Sequence, residues 1–405
     1  MFGNFFRILF LLVMALILPR FLLLYAPQHH IIASYFNNIN HGKLMLGFES
    51  FTEFCKQNKI NLLDQQILLV TNQLSDSPNQ YLQLLNQYGI RPNVAIQTSV
   101  NLILVKTNLV SKNLNEIDNI ELQYNISGQV VQKADLVLVD LQNSGFVKDQ
   151  ALQDLLLIMQ LCNIYKKKLI ILDRPNPLGF LLEGPLVNIL SGQLSLLLPL
   201  RYGMSLGEVA SYANAQLFHN ELSLVVIPLK FYLRNSFVNF EQLQKVYMSG
   251  LFEALRGTCS AEIKSDCRQN FQCLALPEYL NFSVDKWYEL QAILWHNNVS
   301  VELCRYFDRK TEQYFVGVRL EINDINRVSY IKVWQDFFKF MKNAHLELHP
   351  NLYLKQIFGM AQSIELLSGN LGSESILNWM HDLRTFYKAA KPHFIYRPYP
   401  IKVKL

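Results

Sequence analysis

Three short apolar runs, each closing on a polar side chain, constrain this chain most. Residues 66–72 (QILLVTN), 134–141 (ADLVLVDL) and 168–173 (KLIILD) are apolar at successive positions and carry Asn72, Asp140 and Asp173 at or near their ends. A strand that is apolar on both faces has to be covered on both faces, which is the condition of a parallel sheet held between helices. Helical spacing at residues 48–56, 79–88, 148–165 and 206–218 lies between and around these runs, with further strands expected at 93–97 and 222–228. The fold class expected is therefore α/β, a Rossmann-like parallel sheet domain over residues 46–232. Beyond it, helical stretches near 240–255, 284–297, 330–343 and 373–390 surround an alternating strand at 313–322, so a smaller α+β domain is expected over residues 233–405.

In open α/β sheets ligands bind outside the carboxyl ends of the strands, so Asp140 and Asp173 should share one functional rim. Asp173 opens a stiff corner, Asp173-Arg174-Pro175-Asn176-Pro177. Each proline fixes its own φ and presses the residue before it into extended backbone, leaving Arg174 and Asn176 little freedom. Two roles fit Asp173 and Asn176 equally: walls of a polar pocket, or partners of the turn's own amides.

Composition excludes several function classes. Half of the chain is apolar and 17% is charged, which is incompatible with general disorder. The net charge of +5 is dispersed, and Lys166 to Lys168 is the longest basic run, so no nucleic-acid partner is expected. Neither GxGxxG nor GxxxxGK occurs, and no cysteine pair has CxxC spacing, so no nucleotide cofactor and no thiolate metal site are expected. Cys55 and Cys162 sit in helical apolar settings as core thiols, whereas Cys259, Cys267, Cys273 and Cys304 could form one or two disulfides in an oxidising compartment.

Residues 1–26 hold Arg7 followed by an apolar run broken only at Pro19 and Arg20, which fits a signal peptide or a signal anchor. Either one makes the protein exported, periplasmic or membrane-anchored facing the periplasm, with residues 27–45 as linker.

Two further patterns have simpler readings. Gly203-Met204-Ser205-Leu206-Gly207 matches the GxSxG nucleophile elbow, but Ser205 to Glu208 also reads as a helix capping box. His345 and His349 would share a helix face, yet Glu347 is misplaced for HExxH and Pro350 follows at once. What remains is a set of acids around the rim, Asp140, Asp173, Glu183 and Glu208; two carboxyls flanking a bond suit glycoside hydrolysis.

The corner and its neighbours are also identifiable by resemblance. Asp173-Arg174-Pro175-Asn176-Pro177-Leu178-Gly179 with Glu183-Gly184-Pro185 resembles the DRPNP(I/L)G…EGP signature of the NamZ-type exo-β-N-acetylmuramidases. In the same order, residues 69–73 are similar to LVTNQ (with Asn72), Asp140-Leu141-Gln142 with Gly145 to DIQDVG, and Arg201-Tyr202-Gly203 through Glu208 to RHGMTIGE. Ile376, Trp379, Leu383, Phe386 and residues 394–396 resemble the closing helix and strand of the family's second domain. The resemblance implies a peptidoglycan-directed glycoside hydrolase that releases terminal N-acetylmuramic acid (MurNAc). Its site would draw on Asn72, Gln142, Asp173, Arg174, Asn176, Arg201 and Tyr202 for substrate, with peptidoglycan fragments or muropeptides as partners. The family's PEHG segment is missing, since residues 95–102 read AIQTSVNL. Asp140 or Glu183 would then have to supply the acid. The alternative is a catalytically inactive, membrane-anchored muropeptide- or glycan-binding protein.

Overall fold

The computed structural model describes residues 44–57, 65–72, 94–97, 100–106, 126, 128–235, 243–256, 258, 273–277, 283–308 and 312–402. The expected N-terminal signal or anchor, the helix at 79–88, Cys259 and Cys267 lie outside these residues. Among the described residues no helix is long and apolar enough to cross a membrane.

The first half contains α1 (Gly47–Gln57), β1 (Gln66–Asn72), β2 (Val94–Gln97), β3 (Val100–Lys106), α2 (Gly128–Lys133), β4 (Leu136–Asp140) and α3 (Gln150–Ile164). It continues with β5 (Lys168–Leu172), β6 (Leu181–Ser191), β7 (Leu194–Arg201), α4 (Leu206–Phe218) and β8 (Leu224–Ile227). Six strands form one sheet in the order β2-β3-β1-β4-β5-β8. β1, β4, β5 and β8 run parallel, as the apolar runs require.

Successive residues of these runs feed different cores. Val70, Val139 and Ile171 belong to the main core, while Leu69, Leu138 and Ile170 belong to a second cluster closed by Phe51 of α1. Both faces are therefore covered.

The sheet departs from the all-parallel expectation at one edge. β3 pairs antiparallel with β1, and β2 pairs antiparallel with β3. Only residues 98 and 99 separate β2 from β3, too few for the crossover that a parallel pair needs. A second unforeseen element is the antiparallel β6–β7 pair, in which Ser191 faces Leu194 across a two-residue turn carrying Gly192 at φ +58°.

The second half adds α5 (Leu243–Leu255), β9 (Cys273–Pro277), α6 (Val284–Trp295), β10 (Val299–Asp308), β11 (Gln313–Ile322), α7 (Tyr330–Asn343), α8 (Leu352–Leu367), α9 (Ser373–Ala390) and β12 (Ile401–Lys402). β10, β11 and β9 make an antiparallel sheet. α7 starts on the N-cap of Ser329 and buries Ile331, Trp334, Phe338 and Met341. His345 lies beyond α7 with φ +61°, and the amide of His349 donates to the Thr258 carbonyl at 2.7 Å, so the two histidines do not share a helix.

β12 returns to the first half and pairs in parallel with β6. Residues 45–405 form one compact unit, and its main core runs from Leu68 to Phe394.

Candidate functional site

The parallel strands place Asn72, Asp140 and Asp173 at one rim, as their positions in the sequence require. Asn72 joins the ends of β1 and β4: its amide nitrogen donates to the Gln142 carbonyl at 2.8 Å, and its Oδ1 accepts from the Gln142 amide at 3.2 Å. The Gln142 side chain then donates to the carbonyl of Pro175 at 3.0 Å, tying β4 to the corner after β5.

Asp140 and Arg174 form a fork. Nε of Arg174 donates to Oδ1 of Asp140 at 2.5 Å and Nη2 to Oδ2 at 2.8 Å, with 1% of Asp140 and 2% of Arg174 exposed. A bidentate guanidinium–carboxylate pair is a strong, directional link, and it commits both groups.

Asp173 is fully buried and accepts four hydrogen bonds. Its donors are the Ser205 hydroxyl at 2.7 Å, the Tyr396 hydroxyl at 2.7 Å, the Gly207 amide at 2.8 Å and the Arg174 amide at 2.9 Å. The Gly207 amide belongs to the first turn of α4, where an anion meets unpaired N–H groups. A Cβ on Gly207 would lie 2.8 Å from Cγ of Asp173, so only glycine admits the carboxylate this close. Burial pushes the Asp173 carboxyl up to about 6, against the opposing pull of its hydroxyl donors.

Ser205 is the N-cap of α4 and forms the complete capping box with Glu208. The serine of the GxSxG pattern is thus spent on Asp173 and on a helix start. Glu208 also accepts from the Arg234 guanidinium, from the Ile395 amide at 2.5 Å and from the Tyr396 amide at 3.2 Å.

Asn176 takes the turn role: its Oδ1 accepts from the Leu178 amide at 2.8 Å and its amide nitrogen donates to the Met204 carbonyl at 2.9 Å. Tyr202 is fully buried, and its hydroxyl accepts from Asn143 at 2.7 Å. Arg201 donates to the carbonyls of Leu178 at 3.1 Å, Val328 at 3.0 Å and Ile325 at 2.6 Å, bracing the turn before β6 against the loop before α7.

Glu183 sits apart from the Asp140–Arg174 fork. Its Oε1 accepts from the Ser329 hydroxyl at 2.5 Å and the Ile331 amide at 3.0 Å, so it reinforces the N-terminus of α7. Its Oε2 has no hydrogen-bond partner and lies 3.9 Å from Nη1 of Arg201. Burial raises its carboxyl pKa, opposed by the Arg201 charge.

Residues 113–252, which contain every one of these rim groups except Asn72 and the partners from the second half, match the family model described as "Exo-beta-N-acetylmuramidase NamZ, N-terminal". The resemblance to the NamZ family holds. Two solved structures have a similar fold, both DUF1343 family proteins from Bacteroides fragilis NCTC 9343. One is 16% identical with a TM-score of 0.59, covering 87% of this chain and 99% of its own. The other is 18% identical with a TM-score of 0.58, covering 88% and 99%. No curated protein matches the chain.

Within the NamZ-like region the signature residues serve the scaffold first. The carboxyls of Asp140, Asp173 and Glu183 are at most 1% exposed and are engaged by guanidinium, hydroxyl or amide donors. Among the described residues no group of three or more His, Cys, Asp and Glu side chains is placed to hold a metal ion. Arg234 and Tyr396 complete the network and were not singled out as site residues. Their signal was faint: an Arg and a Tyr in apolar settings, far along the chain, with nothing local to mark a buried partner.

Proposed function

We propose that this chain is a peptidoglycan-directed protein of the NamZ type that binds MurNAc-containing fragments without hydrolysing them efficiently. The observation that carries this reading is the saturation of Asp173. A carboxylate holding four donors in a fully buried site has no lone pair left for a leaving group or a water. Both oxygens of Asp140 accept from the Arg174 guanidinium. The segment with the sequence AIQTSVNL, where the resemblance expects a Glu-His pair, includes the end of β2 and the start of β3. Loss of a general acid alone removes roughly 10²- to 10⁴-fold in rate, so a binding role outlasts a hydrolytic one.

The second reading is a retained exo-β-N-acetylmuramidase. It is favoured by the intact DRPNP…EGP block inside the region that matches the family model. Export and an N-terminal membrane attachment belong to either proposal, because the substrate class lies outside the cytoplasm.

Calorimetric titration of the purified protein with MurNAc-containing muropeptides, alongside a chromogenic β-N-acetylmuramide assay, separates the two. Saturable binding with turnover no faster than that of a Glu183→Gln variant supports the binding protein. Wild-type turnover well above that variant establishes the hydrolase, and absence of both binding and turnover sinks both.

A further inference from the structure

The β6–β7 hairpin ends its sheet on an edge that the fold leaves open. Among the described residues the sheet order is β12-β6-β7, so β7 pairs with β6 and has no strand along its other side from Leu194 to Pro199. Ser191 and Leu194 close a two-residue turn, which makes them a hydrogen-bonded pair. Such pairs alternate along an antiparallel ladder, so the amides and carbonyls of Ser195 and Leu197 point away from β6. Among the described residues no hydrogen bond reaches them. Pro199 is in the same phase and has no amide to present. Beyond it the edge closes, because the Val147 amide donates to the Leu200 carbonyl at 2.9 Å.

Soluble proteins keep open edges from pairing with charges, prolines or bulges. Here no charged side chain lies between Glu183 and Arg201, and Pro199 guards only the far end. The outward face of the hairpin is apolar along one diagonal. Leu190 is 65% and Leu197 49% exposed, and the ladder sets Leu190 opposite Ser195 and Asn188 opposite Leu197. The other diagonal is polar, and its groups touch: the Ser195 hydroxyl donates to Oδ1 of Asn188 at 2.7 Å.

We propose that the β7 edge pairs antiparallel with the β7 edge of a second copy of this chain, about a two-fold axis at Leu196. A two-fold axis normal to the sheet sets the same face of both copies on the same side. Centred on Leu196, it brings Ser195 of each copy opposite Leu197 of the other, and both amides and both carbonyls find partners. Centred on Leu197 it would set Ser195 against Pro199, which lacks an amide, and centred on Ser195 it would set Leu197 against Gln193 in the turn. One register therefore satisfies the edge, and it is self-complementary, which selects a second copy over an unrelated strand. In that register the exposed leucines join into one diagonal stripe, Leu190 and Leu197 of one copy running into Leu197 and Leu190 of the other.

Sedimentation equilibrium of the full chain in density-matched non-ionic detergent tests this. The wild type should form a dimer that dissociates on dilution with a midpoint of about 10 to 100 µM, since a short edge buries less than a standard interface. Leu197→Lys sets like charges beside the axis and should raise the dissociation constant by at least about tenfold, with an unchanged far-UV spectrum because this side chain is half exposed. Ser195→Pro removes the outward amide, a change that edge strands tolerate, and should act in the same way. Leu352→Lys, an exposed position on α8, should dimerise as the wild type does. A wild type that stays monomeric up to about 1 mM overturns the inference. A dimer that persists unchanged in either β7 variant, or that dissolves as readily in Leu352→Lys, overturns it as well.

Discussion

The hydroxyl of Tyr396 lies 2.7 Å from Oδ2 of Asp173, across a sequence separation of 223 residues. The same hydroxyl accepts from the Leu229 amide, so the tail of the chain closes the corner that β5 opens. Tyr396→Phe removes a donor from a buried carboxylate and an acceptor from a buried amide, and should cost about 1 to 3 kcal/mol in urea denaturation at neutral pH. Asp173 is pushed up to about 6 by burial, so below that pH its protonated form depends less on the donor. The loss should therefore be smaller at pH 5 than at pH 7.5; an equal loss at both would remove Asp173 from the explanation.

Asp154 on α3 gives a second pH effect with a cleaner variant. Its Oδ1 accepts from Gln150 at 3.0 Å, its Oδ2 has no partner, and burial raises its pKa from 3.8 to about 6. A folded pKa above the unfolded one adds stability that is complete below the unfolded value and is lost as pH rises through the folded value. Asp154→Asn should thus match the wild type near pH 4 and exceed it at pH 7.5 by about 1 kcal/mol after solvent screening. Thermal melts across that range read the difference directly.

The Asp140–Arg174 fork should behave as a unit. Arg174→Met alone deprives a buried carboxylate of its guanidinium and should cost about 3 to 5 kcal/mol. The double variant Asp140→Leu with Arg174→Met should recover most of that loss, giving a large coupling energy in a double-mutant cycle. Additive losses would mean that the two groups act independently.

Glu183→Gln tests the acid that the sequence brought forward. The amide retains an oxygen to accept from Ser329 and Ile331 but removes the charge 3.9 Å from the buried Arg201 guanidinium, so stability should fall by about 1 to 3 kcal/mol. Any residual turnover of a chromogenic β-N-acetylmuramide should be unchanged. A fall of roughly 10²-fold or more would instead restore Glu183 as a general acid.

Much of the fold was legible because its signals are local. Residues 66–72, legible as a continuous apolar run, and 206–218, 313–322, 330–343 and 373–390, legible from periodicity, end on the same residues as β1, α4, β11, α7 and α9. The Ser205–Glu208 capping box was legible for the same reason: its hydrogen bonds close within four residues. The β6–β7 pair was missed although Ser191-Gly192-Gln193 carried a turn signal, because the flanking apolar runs lack the alternation that marks a hairpin.

The sequence by itself determined the parallel strands, the shared rim and the stiffness of the Asp173–Pro177 corner, because periodicity, caps and prolines act within a few residues. Only the tertiary structure decided what the rim's polar groups do. Whether a carboxyl faces solvent depends on what is packed over it, and the covering groups come from Ser205, Arg234, Ser329 and Tyr396, distant in sequence from the acids they meet. Asp173 and Asn176 both bond the turn and the helix beside it, through partners that the sequence does not mark.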